Sequence, residues 1–295
     1  MNASRKRCAI ISKAKKPIHL SIEILCGLCQ RSAVIDKKKL AELRRRGYRA
    51  TWEILEAVYE SEILFICVPT PTADGQMDFS YMRKATINIA RVLGKAEGYR
   101  VIAVRSTVLP STTRCIIAPL LEKHSKLKAG EEFGVCMNPE FLREQYALQD
   151  FLDPSRIVVG ELDKQSGDML EKLYTPFNAP IFRTDLDSAE MVKYAAICFL
   201  ATKISFFNEV YMVCQKLGLD SSFISEVASL DPRIGSYGIQ GGRPFSGKCL
   251  PKDLEAFIGH VKNRGINPKL LEAVSTVNKE IASFSNGCAK KKAQM

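Results

Sequence analysis

The chain has 295 residues, 46% hydrophobic and 25% charged, an ordinary globular composition that excludes wholesale disorder, a collagen-like repeat and a coiled-coil rod. Its 43 Lys and Arg against 32 Asp and Glu give a formal net charge of +11, and the first 50 residues hold 14 of the basic and 3 of the acidic side chains, so the whole excess sits there. Such an arm suits a polyanion, but no stacking aromatics accompany the charge, and nucleic acid is not an expected partner.

No uninterrupted run of 18 apolar residues occurs, so no membrane span is expected. Lys13, Lys15 and Lys16 break the apolar stretch begun by Cys8–Ile11, so no signal peptide forms. The ten cysteines lie mostly in apolar runs and read as free thiols of a reducing cytoplasm. Cys26 and Cys29 form a lone CxxC with no second pair nearby, so no metal is expected.

In chain order, residues 34–36 look like a strand end entering a basic helix at 37–46. Ile54–Tyr59 has a helical pattern. Residues 63–68 are a continuous apolar run closed by Pro69, the signature of a buried parallel strand. A helix is expected at 81–93, strands at 100–104 and 133–137, and a helix at 111–121. Further strands at 156–159 and 180–182 flank a helix at 165–174. This alternation predicts an α/β class, a Rossmann-like parallel sheet covered by helices, over residues 1–186. A second, all-α domain at 187–284 follows, built on a long apolar helix at 189–217 that must be buried by neighbours or by a second subunit. Shorter helices follow at 222–229, 254–264 and 269–284, and residues 285–295 read as a frayed tail.

Four places could carry chemistry. Val68, Pro69, Thr70, Pro71 and Thr72 leave one buried strand, and Ser106, Thr107 and Val108 leave the next. Ligands of open parallel sheets bind at such carboxyl ends, although the same residues also make ordinary turns. Glu140 and Glu144 are four apart beyond the third strand, either an acid/base pair with a cofactor contact or acids favoured at a helix start. Lys193 on the apolar helix either snorkels to water or serves a site. Cys249 precedes Pro251 at a helix start with Lys248 and Lys252 beside it, which favours a thiolate; it also suits a small buried thiol. Asp253 is one turn further on.

Together these segments resemble the UDP-glucose/GDP-mannose dehydrogenase family. The matching stretches are FICVPTPT (65–72), VRSTVLPSTT (104–113), NPEFLRE (138–144), PSRIVVG (154–160), SAEMVKYAA (188–196), FLATKISFFNE (199–209), PRIG (232–235) and CLPKD (249–253). The resemblance implies a nucleotide-sugar 6-dehydrogenase that uses NAD for two successive oxidations of a UDP- or GDP-hexose C6 alcohol, through a thiohemiacetal and a thioester, to the uronic acid. It implies Cys249 as nucleophile, Glu140 as general acid/base, Lys193 as oxyanion stabiliser, Asp253 in the water network and Thr107 close by. Val68–Thr72, Ser106, Thr107, Val108, Glu144 and Lys252 would contact NAD. Glu140, Phe141, Leu142, Arg143, Lys193, Arg233, Phe245 and Gly247 would hold the sugar nucleotide. A homodimer through the 189–217 helix is implied as well.

The chain departs from the family at four points. Gly27 is the only glycine in residues 1–46, so the Gly-rich pyrophosphate turn is missing. Val34 stands at the ribose-binding acid, with Asp36 two positions on as a substitute. Ile197 replaces an asparagine one turn after Lys193, and Pro244 and Ser246 replace glycines before Cys249. The resemblance ends before the family's C-terminal nucleotide-sugar domain, as in a truncated member. A second reading is therefore a catalytically weak or silent member that acts as a dimerisation partner.

Overall fold

The computed structural model describes residues 8–11, 45, 51, 53–247 and 249–292. The strand at 34–36, almost all of the basic helix at 37–46, most of the basic arm and the Cys26/Cys29 pair lie outside the described residues. The strands in chain order are β1 (Cys8–Ile11), β2 (Ile63–Ile66), β3 (Thr72–Ala73), β4 (Gln76–Met77), β5 (Val101–Val104), β6 (Gly134–Met137), β7 (Ile157–Glu161) and β8 (Ile181–Thr184). The helices are α1 (Ile54–Tyr59), α2 (Ser80–Leu93), α3 (Ala118–Ser125), α4 (Ala147–Leu152), α5 (Lys164–Tyr174), α6 (Leu186–Leu217), α7 (Ser221–Ser229), α8 (Leu250–Lys262) and α9 (Lys269–Lys292).

Two compact units emerge. The first ends at Lys193 and leaves out residues 71–77; the second consists of 71–77 and the chain from Tyr194 onward.

The first unit is built on a sheet in the order β1-β2-β5-β6-β7-β8. Strands β1, β2, β5 and β6 are parallel; β2, β5 and β6 are expected from their continuous apolar runs, whereas the sequence pattern gives no strand at β1. The expected all-parallel sheet is corrected at one edge: β7 pairs antiparallel with β6, and β8 runs parallel to β7. Strand direction is set by how the chain crosses over, which a local apolar run does not encode.

Residues alternate between the two faces of the sheet. Leu64, Ile66, Ile102, Val104, Val135 and Met137 pack with Met82, Ile89, Leu93, Ile117 and Leu121. Ile63, Phe65, Val101, Ala103 and Cys136 pack on the other side with Phe151, Leu170 and Tyr174. Helix α2 buries Met82, Ala85, Thr86, Ile89, Ala90, Val92 and Leu93, one 3.6-residue stripe. The helix expected at 111–121 starts as a π-helical turn, Thr113–Ile117, before α3.

The second unit is helical apart from the β3–β4 hairpin. Asp74 and Gly75 both have positive φ, 51° and 70°, which closes this two-residue turn. The hairpin packs on α8 so closely that a side chain at Gly259 would run into the backbone of Gly75. Helix α8 starts four residues earlier than the sequence pattern gave, and α9 runs to Lys292 rather than ending at 284.

Helix α6 is long and apolar enough to cross a membrane by length and composition. Its buried polar groups bond to protein instead: Ser205 Oγ donates to the Val274 carbonyl at 3.1 Å, and Asn208 Nδ2 to the Arg243 carbonyl at 2.9 Å. It is a core helix by that test.

Candidate active site

The first unit supplies the strand ends. Beyond β2 and β5 the chain is tied by side chains. The Ser106 hydroxyl accepts from the Val68 N–H at 2.8 Å and donates to the Val68 carbonyl at 2.7 Å, and the Thr70 hydroxyl donates to the Thr107 carbonyl at 3.0 Å. Val68, Thr70 and Val108 are buried, while Pro69 and Pro71 are exposed. In the second unit, Thr72 Oγ1 is buried with no hydrogen-bond partner, an open position for a polar ligand atom.

Beyond β6, Glu140 meets Lys193. Lys193 Nζ lies 2.9 Å from Glu140 Oε1 and also donates to the Glu140 carbonyl. The Leu142 N–H donates to Glu140 Oε2 at 2.6 Å, so both carboxylate oxygens are engaged. Burial pushes the Glu140 carboxyl up, but the Lys193 charge, the Leu142 N–H and the Lys193 hydrogen bond outweigh it and hold the group below its ordinary value. The Phe141 ring has the Arg156 guanidinium 3.9 Å from its centroid and Lys193 Nζ at 5.5 Å. Arg143 turns to Asp150, at 2.6 Å, and lies over Tyr146. The side chain of Glu144 lies outside the described residues.

Two features of this unit escaped sequence reasoning. Glu190, fully buried one turn before Lys193, accepts from the Thr113 N–H at 2.8 Å and the Thr113 hydroxyl at 2.6 Å. Burial pushes its carboxyl up to about 7. Arg105 is buried beside Asn138: its Nη1 donates to Asn138 Oδ1 at 2.5 Å and to the Asn138 carbonyl at 3.2 Å. No spacing rule separates such buried polar residues from surface ones. A lone basic residue ending an apolar strand, as Arg105 does in Val104-Arg105-Ser106, was the available signal.

The second unit contains the cysteine singled out by the sequence. Cys249 is the N-cap of α8, with Leu250 and Pro251 in the first turn, and it is exposed. Its carbonyl accepts from the Asp253 N–H at 2.9 Å. Asp253 is buried and ion-paired with Lys252. Lys248 lies outside the described residues. The loop before the thiol is held from two helices. Asn208 of α6 bonds Gly242 and Arg243, and Asn278 of α9 accepts from the Phe245 N–H at 2.7 Å. Phe245 is buried and Gly247 has φ 87°. Arg233 is exposed and paired with Asp231 at 2.6 Å. Ile197, at the position of the family's asparagine, is buried in α6.

Residues 33–178 match the NAD binding domain of the UDP-glucose/GDP-mannose dehydrogenase family, and residues 187–280 match its central domain. The chain is 35% identical to the UDP-glucose 6-dehydrogenase AglM of Haloferax volcanii over 88% of its length, covering 63% of that protein. It is 37% identical to the GDP-mannose 6-dehydrogenase of Pseudomonas putida over 94% of its length, covering 61% of that protein. The chain thus spans about six-tenths of the length of these curated relatives. Among solved structures, a UDP-glucose dehydrogenase from Pyrobaculum islandicum superposes with a TM-score of 0.85 at 30% identity, over 95% of this chain and 69% of that one. With both family domains matched in order across most of its length, the chain belongs to the UDP-glucose/GDP-mannose dehydrogenase family.

Proposed function

We propose that the chain carries the catalytic portion of an NAD-dependent nucleotide-sugar 6-dehydrogenase, which oxidises the C6 alcohol of a UDP- or GDP-hexose to the uronic acid. The observation that carries the reading is the buried Lys193–Glu140 pair at the carboxyl end of β6, where an open α/β sheet binds its ligands. The relatives reported above are dehydrogenases by name, and a silent dimerisation partner has no support among them.

NAD, when bound, supplies the hydride acceptor for both oxidations. The described residues fit it in part. Val68, Thr70, Ser106, Thr107 and Val108 form the strand ends that would hold it, and the unpartnered hydroxyl of Thr72 offers a polar contact. Pro69, Pro71, Glu144 and Lys252 belong to the same assignment. The residues that follow β1 lie outside the described ones, and Gly27 is the one glycine of residues 1–46, so no Gly-rich motif is available there for the pyrophosphate.

Each remaining role follows from local chemistry. Cys249 at the N-terminus of α8 attacks the C6 aldehyde as a thiolate, favoured by the helix dipole. The C–S bond forms and the carbonyl oxygen becomes an oxyanion. Lys193, largely withdrawn from water, provides positive charge for that oxyanion. As Lys193 turns toward the oxyanion, Glu140 loses part of its counter-charge and becomes a stronger base. It then takes the proton from the water that hydrolyses the thioester. Asp253 orders that water with Lys252 as its partner, and Thr107 lines the approach. Phe141, Leu142, Arg143, Arg233, Phe245 and Gly247 are assigned to the sugar nucleotide.

The exposed apolar side chains Phe199, Phe206 and Val213 recur every seven residues along α6, with Phe223, Val227 and Leu230 exposed on α7. This surface favours a homodimer. The described cysteines form no disulfide, in keeping with a cytoplasmic enzyme.

The test is NADH formation by the purified chain supplied with NAD and UDP-glucose, a UDP-N-acetylhexosamine or GDP-mannose. Activity with at least one substrate, abolished by Cys249→Ala, supports the reading; no NADH with any of them at high enzyme concentration overturns it.

A further inference from the structure

We infer that Arg105 is a positioning residue for Glu140: through a buried knot with Asn138 and Tyr174 it fixes the chain two residues before the carboxylate and keeps a second cation beside it. The inference rests on the reading of Glu140 as the general acid/base.

The knot joins four elements of the first unit. Arg105 follows β5, Asn138 follows β6, Tyr174 ends α5, and the Val158 carbonyl belongs to β7. Arg105 Nη1 donates to both the side-chain and main-chain oxygens of Asn138 and contacts the Tyr174 hydroxyl at 3.3 Å. That hydroxyl donates to Asn138 Oδ1 at 2.6 Å, and Asn138 Nδ2 donates to the Val158 carbonyl at 2.8 Å. The Asn138 N–H continues the sheet ladder to the Val104 carbonyl at 2.8 Å. Every polar group of Asn138 is therefore committed, and Asn138 is 1% exposed. Pro139, with its fixed φ, is the single residue between this anchor and Glu140.

Arg105 is 9% exposed, and its guanidinium lies 5.9 Å from the Phe151 ring centroid. The Asn138 oxygens and the Tyr174 hydroxyl orient it. Arg105 adds to the forces holding the Glu140 carboxyl below its ordinary value, after Lys193 and the Leu142 N–H. Among the described groups, Lys193 from α6, Arg105 from the end of β5 and the Leu142 amide from its own loop act on Glu140. Arg156 faces the neighbouring Phe141 ring. Lys193 is the mobile partner in the proposed chemistry, and Arg105 is the fixed one. When Lys193 turns to an oxyanion, Arg105 still keeps the carboxyl ionised enough to act as a base.

The experiment is carbon-13 NMR titration of the Glu140 carboxyl in the full chain, compared with Arg105→Met, Arg105→Lys and Asn138→Asp. Arg105→Met is expected to raise the Glu140 midpoint by about one pH unit, and Arg105→Lys to restore most of that shift. Asn138→Asp keeps the knot's size but sets a carboxylate on the guanidinium, so it should move the midpoint up as well. It also serves if Arg105→Met does not fold. A purely structural role would lower thermal stability in these variants and leave the Glu140 midpoint where it is. Unchanged midpoints in the folded variants would overturn the inference. This readout needs no turnover, so a chain that makes no NADH but shows the shifts would refute the proposed activity and keep Arg105's role.

Discussion

Lys193 grips Glu140 twice, through the backbone carbonyl and through Oε1 at 2.9 Å. The two residues are 53 positions apart in sequence, and both side chains are withdrawn from water, with 9% and 13% of their surfaces exposed. A charged pair this deep is costly to break from one side only, because the survivor keeps its desolvation cost without its partner.

Lys193→Met should therefore destabilise the chain by about 3–5 kcal/mol at neutral pH. Lys193→Met combined with Glu140→Gln should recover a large part of that loss. The pH dependence has a definite sign. Glu140 is held below its ordinary value of 4.5 in the folded chain. Its contribution is full above that value and is lost as pH falls through the folded-state value. The gap between wild type and Lys193→Met, measured by urea unfolding, should narrow in acid. A gap that stays constant would show that the pair contributes no charge-dependent stability.

Glu190 predicts the opposite trend. Its carboxyl is pushed up from 4.5 to about 7 by burial, so the folded state prefers it protonated. The contribution is complete below 4.5 and disappears as pH rises through about 7. At about 1.4 kcal/mol per unit, the loss is on the order of 3 kcal/mol. Glu190→Gln keeps an oxygen for the Thr113 N–H and hydroxyl but does not ionise. Its stability, followed by thermal melts, should stay flat over this range while the wild type declines. Parallel declines in both proteins would assign the slope to another group.

The thiols should separate by environment. Cys115 and Cys249 are exposed, whereas Cys136 and Cys198 are buried. Burial pushes both of the latter thiols up to about 12; for Cys198 the charge of Asp253 adds to the effect. Brief iodoacetamide treatment at neutral pH, read by peptide mass spectrometry, should label Cys249 and Cys115 first. Cys136 and Cys198 should react only on unfolding. Labelling of Cys136 or Cys198 as fast as Cys249 would contradict this assignment.

The parts of the structure legible in the sequence are those whose signal is local. Strands β2, β5 and β6 were visible because a strand buried on both faces needs a continuous apolar run. Cys249 was placed at a helix start because Pro251 suits only the first turn. The β3–β4 hairpin was missed although Asp74-Gly75 is its turn signal, because its strands are two residues each and carry no periodicity. Its attachment to α8 depends on Gly259, far away in sequence. The reversal at β7, the Glu190–Thr113 contact and the Arg105–Asn138–Tyr174 knot all depend on pairings across the sheet or between distant segments. A single buried polar residue looks the same in sequence as an exposed one.

The exposed stripe on α6 leads to a prediction about assembly. Phe199, Phe206 and Val213 are 65%, 59% and 51% exposed, a large apolar surface to leave in water, and Phe223 and Leu230 on α7 add to it. Burying a side chain such as Phe206 is worth about 1.5–3 kcal/mol, so a self-complementary contact through this face would gain from both copies at once. Phe206→Glu would place two carboxylates in that contact and should shift the chain to monomer in light scattering. The fold of each copy should survive, because Phe206 lies outside the buried core, and the helical circular dichroism signal should be unchanged. A wild-type chain that is monomeric at all concentrations, or a Phe206→Glu variant that remains dimeric, would remove α6 as the contact.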